Sequence, residues 1–195
     1  MFIKVIMSML IILALLSSSV FAADCIYKRY QDNGNGTVTD CRSGLVWLKD
    51  ANCKAILNSV AKDNGYLTWS DAKKWVAGMS GFGACGVTDQ SVAGDWRLPT
   101  KTELMAMVES ARTQGFSNPA LTNASGRAQA TNGNVFSNVQ NDYYWTSSTY
   151  SCTDPAASVI YIGGGGTDCQ GPTGTHFVWP VRGGQTGSFG SVFIK

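Results

Sequence analysis

Short runs of alternating apolar and polar residues near the start of the chain predict a β-hairpin. Residues 26–31 and 37–41 are two such runs, and Asn33-Gly34-Asn35-Gly36 between them is a strong signal for a tight hairpin turn. Residues 44–48 continue in an apolar, extended pattern and predict a third strand. We therefore expect this part of the chain to form antiparallel sheet.

Two helices are predicted in the middle of the chain, each beginning after a threonine N-cap. Apolar residues recur at helical spacing after Thr68, and Gly78 and Gly81 help to end that helix. Thr100 stands three residues before Glu103, which is the spacing of a capping box, and an apolar helical face follows.

The second half of the chain predicts a long loop followed by returning strands. Residues 95–98 precede a proline and should be extended. Residues 112–142 are rich in Asn, Ser, Gly and Ala without a clear period, and a loop of this length is usually functional or mobile. Strands are expected at 143–145, 159–162 and 177–181. The order of elements predicts an α+β fold in a single domain, with mainly antiparallel strands and two helices.

Residues 1–22 have the pattern of a secretory signal peptide. Lys4 supplies the positive start, residues 5–16 are almost wholly apolar, and Val20-Phe21-Ala22 resembles a cleavage site with small residues. The apolar stretch is shorter than the roughly 20 residues that a membrane-spanning helix needs. We expect a signal peptide at 1–22, one domain at 23–195, no membrane insertion after cleavage, and export to the periplasm, the cell surface or the medium.

Composition narrows the function classes. The 195 residues are 11% aromatic and 14% charged, which is typical of a globular chain, and 22 glycines indicate many turns. The net charge is +2 with both signs scattered along the chain, so no nucleic-acid partner is indicated. The sequence also lacks a run of basic residues. With one histidine and no closely spaced cysteine pair, we expect no metal and no cofactor.

The six cysteines all follow the expected cleavage site. An even number in an exported chain predicts a disulfide framework. Two pairs flank predicted strand segments, the first hairpin and the strand near residue 160, and the remaining two cysteines would pair across the first helix. The predicted disulfides are Cys25–Cys41, Cys53–Cys85 and Cys152–Cys169.

Seven motifs stand in a characteristic order along the chain. They are DNGNGTVTD at 32–40, GLVW at 44–47, TW at 68–69, DWRLPT at 95–100, EL at 103–104, YWTSS at 144–148 and VWPVRG at 178–183. Together they closely resemble the domain family typified by the C-terminal domain of the Legionella collagen-like adhesin, over roughly residues 27–185.

The resemblance implies a C-type-lectin-like fold, related to that of the formylglycine-generating enzymes. The best-known member of the family is a trimeric surface adhesin that binds sulfated glycosaminoglycans. By resemblance we expect an extracytoplasmic glycan or protein as partner, and a homo-oligomer, with a trimer as the family precedent. This chain has neither a collagen-like Gly-x-y repeat nor the clustered basic residues that favour a sulfated polymer, so the glycosaminoglycan ligand is not transferred.

Several motifs that could carry chemistry have a structural explanation. Residues 32–40 do not fit the calcium-loop pattern and are better explained as a hairpin turn. Arg97 is expected to pair with Asp95 or Glu103, and His176 to be an ordinary strand residue. Enzymatic activity is therefore not expected.

Polar and aromatic residues around the last strands are the candidates for ligand contact, because rings and hydrogen-bond acceptors suit a sugar or a protein surface. They are Tyr143, Tyr150, Asp154, Tyr161, Asp168 and Gln170. The leading hypothesis is an exported, adhesive binding module for a glycan or protein. The alternative is a structural or assembly component of a surface fibre or envelope complex, without catalytic activity.

Overall fold

Among the residues that the structure describes, a four-stranded antiparallel sheet contains the first three strands and the last one. The computed structural model describes residues 25, 27–149 and 156–183. The strands of this first sheet are β1 (Tyr30–Asp32), β2 (Thr37–Asp40), β3 (Leu45–Leu48) and β9 (Val181–Arg182). They are hydrogen-bonded in the order β1-β2-β3-β9, and each pair is antiparallel.

The other five strands form a second sheet. They are β4 (Tyr66–Thr68), β5 (Tyr143–Thr149), β6 (Ala157–Tyr161), β7 (Thr167–Gln170) and β8 (Thr175–Phe177). Their order is β4-β8-β5-β6-β7, and β5 and β8 are parallel while the other pairs are antiparallel. Two mostly antiparallel sheets with two helices confirm the predicted α+β class.

Both helices begin at the threonine caps that the sequence predicts. Helix α1 (Trp69–Ala77) follows Thr68, whose hydroxyl accepts a hydrogen bond from the amide of Asp71. Helix α2 (Lys101–Arg112) follows Thr100, and its capping box with Glu103 is complete. The apolar side of α2 is buried and packs against β5 and β6. A short 3₁₀ turn occupies Ala84–Gly86.

The predicted hairpin is present, but its first strand begins at Tyr30 instead of residue 26. The backbone amides of Arg29 and Tyr30 both donate to the carbonyl of Ala124 in the long loop, at 2.8 and 3.0 Å. Apart from one cross-strand bond of 2.9 Å, from the Cys41 amide to the Arg29 carbonyl, contact with a distant loop therefore takes the place of strand pairing at this end of the hairpin.

The prediction of one strand at residues 177–181 is wrong, because β8 ends at Phe177 and β9 begins at Val181, in the other sheet. Pro180 lacks an amide hydrogen and cannot continue a hydrogen-bonded ladder. Its carbonyl accepts from the amide of Leu48 at 3.0 Å, and the Trp179 indole donates to the Leu48 carbonyl at 2.7 Å. The segment thus joins the two sheets.

Strands β4 and β7 were not predicted from the sequence. Both lie at the edges of the second sheet and are only three and four residues long. Residues of β7 are exposed or half-buried throughout, so they lack the apolar alternation that identifies a strand.

The long loop at residues 112–142 contributes to the core. Val135 and Phe136 are buried, and the Phe136 ring makes edge-to-face contacts with Tyr30 and Trp179 at centroid distances of 5.1 and 4.9 Å. We expected a functional or mobile loop. In the structure, apolar packing instead holds much of the loop in place, as backbone hydrogen bonds do in a helix or a strand.

Two of the predicted disulfides, Cys25–Cys41 and Cys53–Cys85, are present. Cys169 is also disulfide-bonded, and its predicted partner Cys152 lies outside the described residues. The predicted signal peptide at residues 1–22 lies outside them as well. Within the part of the chain that the structure describes, neither helix is long and apolar enough to cross a membrane.

Candidate functional site

Four of the predicted ligand residues lie on one face of the second sheet. Tyr143 is opposite Tyr161 across β5 and β6, and their ring centroids are 5.2 Å apart. Asp168 and Gln170 in β7 pair with β6 residues that lie an even number of positions from Tyr161. Because side chains alternate between the two faces along a strand, all four side chains point to the same side of the sheet. We call this surface the Tyr143 face. Its tyrosines are half-buried, and Asp168 is exposed.

The remaining predicted residues, Tyr150 and Asp154, lie outside the described residues. His176 belongs to β8, as predicted, and its ring centroid lies 5.9 Å from that of Tyr143 and 4.8 Å from that of Trp145. Burial lowers the pKa of His176 more than the nearby carboxylates of Asp142 and Asp168 raise it. The imidazole is therefore a neutral packing group at pH 7.

Several charged residues of these motifs form ion pairs. Arg97 donates two hydrogen bonds of 2.7 Å to the carboxylate of Glu103, one of the two partners expected for it. Asp32 binds the ammonium group of Lys49 at 2.6 Å. Among the described residues there is no group of three His, Cys, Asp or Glu side chains that could hold a metal ion.

A cavity of about 320 Å³ lies beside the first sheet, where the start of the described chain meets the long loop. Its lining consists of Cys25, Tyr27, Lys28, Arg29, Cys41, Arg42, Ser125, Gly126 and Arg127. Four of these nine residues are cationic, and no acidic residue is among the described residues that line it. We call it the basic cavity.

Arg29 is the buried cation of the basic cavity. Its side chain is 3% exposed, and its Nη2 lies 2.9 Å from Oδ2 of Asp40. Its Nη1 donates to the Ser110 hydroxyl at 3.2 Å, and its guanidinium carbon lies 5.0 Å from the Tyr30 ring centroid. These contacts fix the guanidinium in one place, and the carboxylate of Asp40 balances its charge.

Helix α2 connects two of the cavity's arginines. Ser110, near the end of α2, accepts a hydrogen bond from Nη1 of Arg42 at 3.2 Å as well as the one from Arg29. Arg42 itself is exposed, as are Lys28 and Arg127. The cavity therefore has one fixed cation inside and three solvent-accessible cations around it.

The opposite wall of the cavity is a turn held by its own side chains. The Oδ1 atom of Asn123 accepts from the Ser125 hydroxyl at 2.8 Å and from the Arg127 amide at 3.3 Å, and Gln114 donates to the Gly126 carbonyl at 3.0 Å. Gly126 has φ +76°, and a Cβ placed on it would lie 2.8 Å from Cβ of Arg29. Only glycine allows this turn to approach Arg29 so closely.

The basic cavity favours an anion by its charge and its shape. Guanidinium groups stay charged at every physiological pH and bind carboxylate, sulfate or phosphate oxygens through paired N–H donors. The three solvent-accessible cations around one concave surface raise the local concentration of anions. The volume lies at the small end of the range for ligand pockets, about 300–1,000 Å³.

The cations of this cavity do not form a cluster in the sequence, and the site was not predicted. Lys28 and Arg29 are adjacent, but Arg42 follows 13 residues after Arg29, and Arg127 a further 85 residues along. The predicted Cys25–Cys41 disulfide could have indicated part of the site from the sequence, because it places Arg42 near Lys28 and Arg29. The position of Arg127 depends on the path of the long loop.

Together, the fold and the cavity define a disulfide-bonded α+β domain with a preformed cationic recess. Residues 36–182, three quarters of the chain, match the family described as the Lcl C-terminal domain, that of the Legionella collagen-like protein. The chain belongs to this family, which is associated with adhesins and is not a known enzyme family. No curated protein matches the chain. Arg42 and Arg127 lie inside the matched region, whereas Lys28 and Arg29 precede it.

Proposed function

We propose that this protein is an exported binding module that takes the anionic group of an extracytoplasmic glycan in the basic cavity. The observation that carries the proposal is the set of three solvent-accessible cations around one recess, namely Lys28, Arg42 and Arg127. In this function Lys28, Arg42 and Arg127 contact the ligand, and Arg29, whose charge is paired with Asp40, helps to hold the cavity wall in place.

The rim of the cavity also suits a sugar. Tyr27 is 85% exposed, and an exposed tyrosine ring can stack on the apolar side of a pyranose while its hydroxyl stays in water. Ser125 is exposed beside it in the lining and offers a hydroxyl. A charged group inside the cavity and a ring at its rim would bind one acidic sugar unit together with its neighbour.

Export is supported by two independent features. The first 22 residues have the pattern of a signal peptide, and disulfides such as Cys25–Cys41 persist mainly in oxidising compartments. The protein would then meet its ligand outside the cytoplasm, where the acidic glycans of envelopes and host surfaces occur.

Titration calorimetry with three hexasaccharides tests the proposal: a heparin fragment with sulfates and carboxylates, a hyaluronan fragment with carboxylates only, and neutral dextran. We expect binding of the heparin fragment, weaker binding of the hyaluronan fragment and none of dextran. Replacing Arg42 or Arg127 by Ala should weaken binding at least about tenfold, since a hydrogen bond to a charged group contributes about 1.5–3 kcal/mol.

Lys54→Ala is the matched control, because Lys54 is exposed and does not line the cavity. It makes the same change in net charge and should leave the affinity unchanged. Arg42→Lys keeps the charge and should retain part of the affinity. If the Arg42, Arg127 and Lys54 variants all lose affinity equally, binding reflects overall charge and the basic cavity is not the site.

The Tyr143 face is the second candidate surface for a ligand, because it brings four sequence-predicted residues together. Replacing the exposed Asp168 and its hydrogen-bond partner Gln170 by Ala tests it, since both are at the sheet edge. A glycan bound at this face would lose affinity in that double variant and keep it in the Arg42 variant. The reverse result assigns the glycan to the basic cavity.

An assembly role is favoured by exposed apolar side chains on the loops after α1. Phe82 and Val92 are 88% and 54% exposed. They directly follow Gly81 and Ser91, which are joined by a hydrogen bond of 2.8 Å from the amide of Gly81 to the carbonyl of Ser91. Light scattering with size-exclusion chromatography tests this role. A trimer that dissociates on Phe82→Ser substitution would support it, whereas a stable monomer would count against it.

A further inference from the structure

One disulfide forms part of the wall of the basic cavity. Cys25 and Cys41 both line it, together with residues that follow each cysteine closely in the chain. Lys28 stands three residues after Cys25, and Arg42 directly follows Cys41. The bridge thus joins the two chain segments that carry three of the four cations.

Backbone hydrogen bonds secure these two segments unequally. Arg29 donates its amide to Ala124 and accepts at its carbonyl from the amide of Cys41, at 2.8 and 2.9 Å. Among the described residues, Arg29 is the first whose backbone amide donates a hydrogen bond. Arg29 and Cys41 are therefore held without the disulfide, whereas the backbone at Tyr27 and Lys28 depends on the attachment of Cys25, and the Lys28 side chain makes one exposed hydrogen bond, to Gln31 at 3.1 Å.

We propose that the Cys25–Cys41 disulfide regulates the basic cavity, because it holds the Tyr27–Lys28 wall in place and its reduction by a dithiol releases that wall and weakens anion binding. The inference rests on the proposed function of the cavity. The protein with the bridge closed is the form that binds, and an oxidising compartment keeps it in that form.

The reduction is a thiol–disulfide exchange with a dithiol. One thiolate of the reductant attacks a bridge sulfur, the Cys25–Cys41 bond breaks, and a mixed disulfide forms. The second thiol of the reductant then displaces the protein, which leaves two cysteine thiols and an oxidised, cyclic reductant. In total the protein gains two electrons and two protons, both from the dithiol.

The cavity places cations beside this bridge. Cys25 and Cys41 are partly exposed and have Lys28 and Arg42 nearby, and these cations attract an attacking thiolate and stabilise the thiolate that leaves. In the Cys53–Cys85 bridge, Cys53 is 5% exposed and Cys85 is half-buried, and neither cysteine lines the cavity with its cations. We expect a dithiol to open Cys25–Cys41 first.

Binding of the heparin hexasaccharide to the exported protein tests the inference, with dithiothreitol titrated and each cysteine's state read by thiol labelling and mass spectrometry. Opening Cys25–Cys41 alone should lower affinity about tenfold, as for one lost charge-assisted contact. The same loss is expected in a Cys25→Ser/Cys41→Ser variant whose circular dichroism is unchanged.

A reciprocal measurement separates regulation from general damage. The bound hexasaccharide should slow reduction of Cys25–Cys41 severalfold and leave the rate at Cys53–Cys85 unchanged, because it occupies the cavity and neutralises its charge. If the double variant does not fold, the partly reduced protein supplies the comparison. Equal affinity with the bridge open and closed would overturn the inference, and absence of binding by the oxidised protein would overturn the proposed function instead.

Discussion

Arg29 and Asp40 form a buried ion pair at the base of the first hairpin, with 2.9 Å between Nη2 and Oδ2. The other oxygen of the same carboxylate, Oδ1, accepts a hydrogen bond of 3.0 Å from the backbone amide of Arg42. One aspartate therefore positions both arginines on this side of the basic cavity, the first through its side chain and the second through its backbone.

Replacing Asp40 by Asn should destabilise the protein by about 3 kcal/mol, because it leaves the guanidinium of Arg29 buried without a counter-charge. Urea denaturation at pH 7 measures the change in the free energy of unfolding. Asp63→Asn is the control, since Asp63 is exposed, and it should change stability by less than about 0.5 kcal/mol. Equal stability of the two variants would show that the buried pair contributes nothing.

Gly126→Ala should damage both stability and binding, since the new methyl group would meet Cβ of Arg29 at 2.8 Å. Gly133→Ala is a close match: Gly133 has φ +80°, near the +76° of Gly126, but open space around its Cβ position. Both variants strain the backbone by about 1 kcal/mol. Only Gly126→Ala should also lose affinity for the heparin hexasaccharide. A similar loss in both would mean that backbone strain alone is responsible.

Glu103 should make stability depend on acidic pH. Burial raises its pKa, but hydrogen bonds from Arg97 and the Thr100 amide and the charge of Arg97 lower it more, so the net pKa is below the usual 4.5. The unfolded state then takes up the proton first, and the stabilisation present above pH 4.5 is lost as pH falls through the folded-state pKa.

Glu103→Gln should therefore cost about 1–2 kcal/mol at pH 7 and progressively less towards pH 3. Urea denaturation at several pH values measures this. Glu109→Gln is the control on the same helix, since Glu109 forms an exposed pair with Arg112, and it should cost less than about 0.5 kcal/mol. A cost for Glu103→Gln that does not change with pH would contradict the ionic role of this carboxylate.

Lys62 should make stability depend on alkaline pH. Its ammonium group lies 3.8 Å from the centroid of the Trp75 ring and donates to the Val178 carbonyl at 3.3 Å. Burial lowers its pKa from 10.5 to about 7, against a smaller opposing effect of Asp50. Above pH 7 the unfolded chain keeps a proton that the native protein has released, so stability should rise with pH, by at most about 1.4 kcal/mol per pH unit.

Lys62→Met should remove that rise between pH 7 and pH 9, because methionine keeps an apolar side chain over Trp75 and has no proton to release. It should also be at least as stable as the natural chain at pH 7. Thermal and urea unfolding at pH 7, 8 and 9 measure the slope. Lys54→Met, at an exposed position, should leave the slope as it is. An unchanged slope in Lys62→Met would assign the dependence to another group.

Features with a local cause were predictable from the sequence. The Asn-Gly turn at 33–36 determines the first hairpin, and the threonine caps of α1 and α2 act through hydrogen bonds to amides three residues away. The Cys25–Cys41 and Cys53–Cys85 disulfides followed from those elements. The family could be identified as well, because its motifs are short and stand in a fixed order.

Features that depend on distant parts of the chain were not predictable in this way. The apolar run at 177–181 looks like one strand, and only the position of Leu48 shows that Pro180 belongs to the connection between the two sheets. The packing of Phe136 against Tyr30 and Trp179 likewise has no local signal.

The sequence by itself determined the α+β class, the helix and hairpin positions, two disulfides and the family, because each rests on interactions within a few residues or on motif order. Only the tertiary structure decided where charge accumulates. Lys28, Arg29, Arg42 and Arg127 are scattered in a chain of net charge +2, and the disulfide, Ser110 of α2 and the Gly126 turn bring them around one cavity. Electrostatic potential depends on distances in space, and these distances exist only in the folded chain.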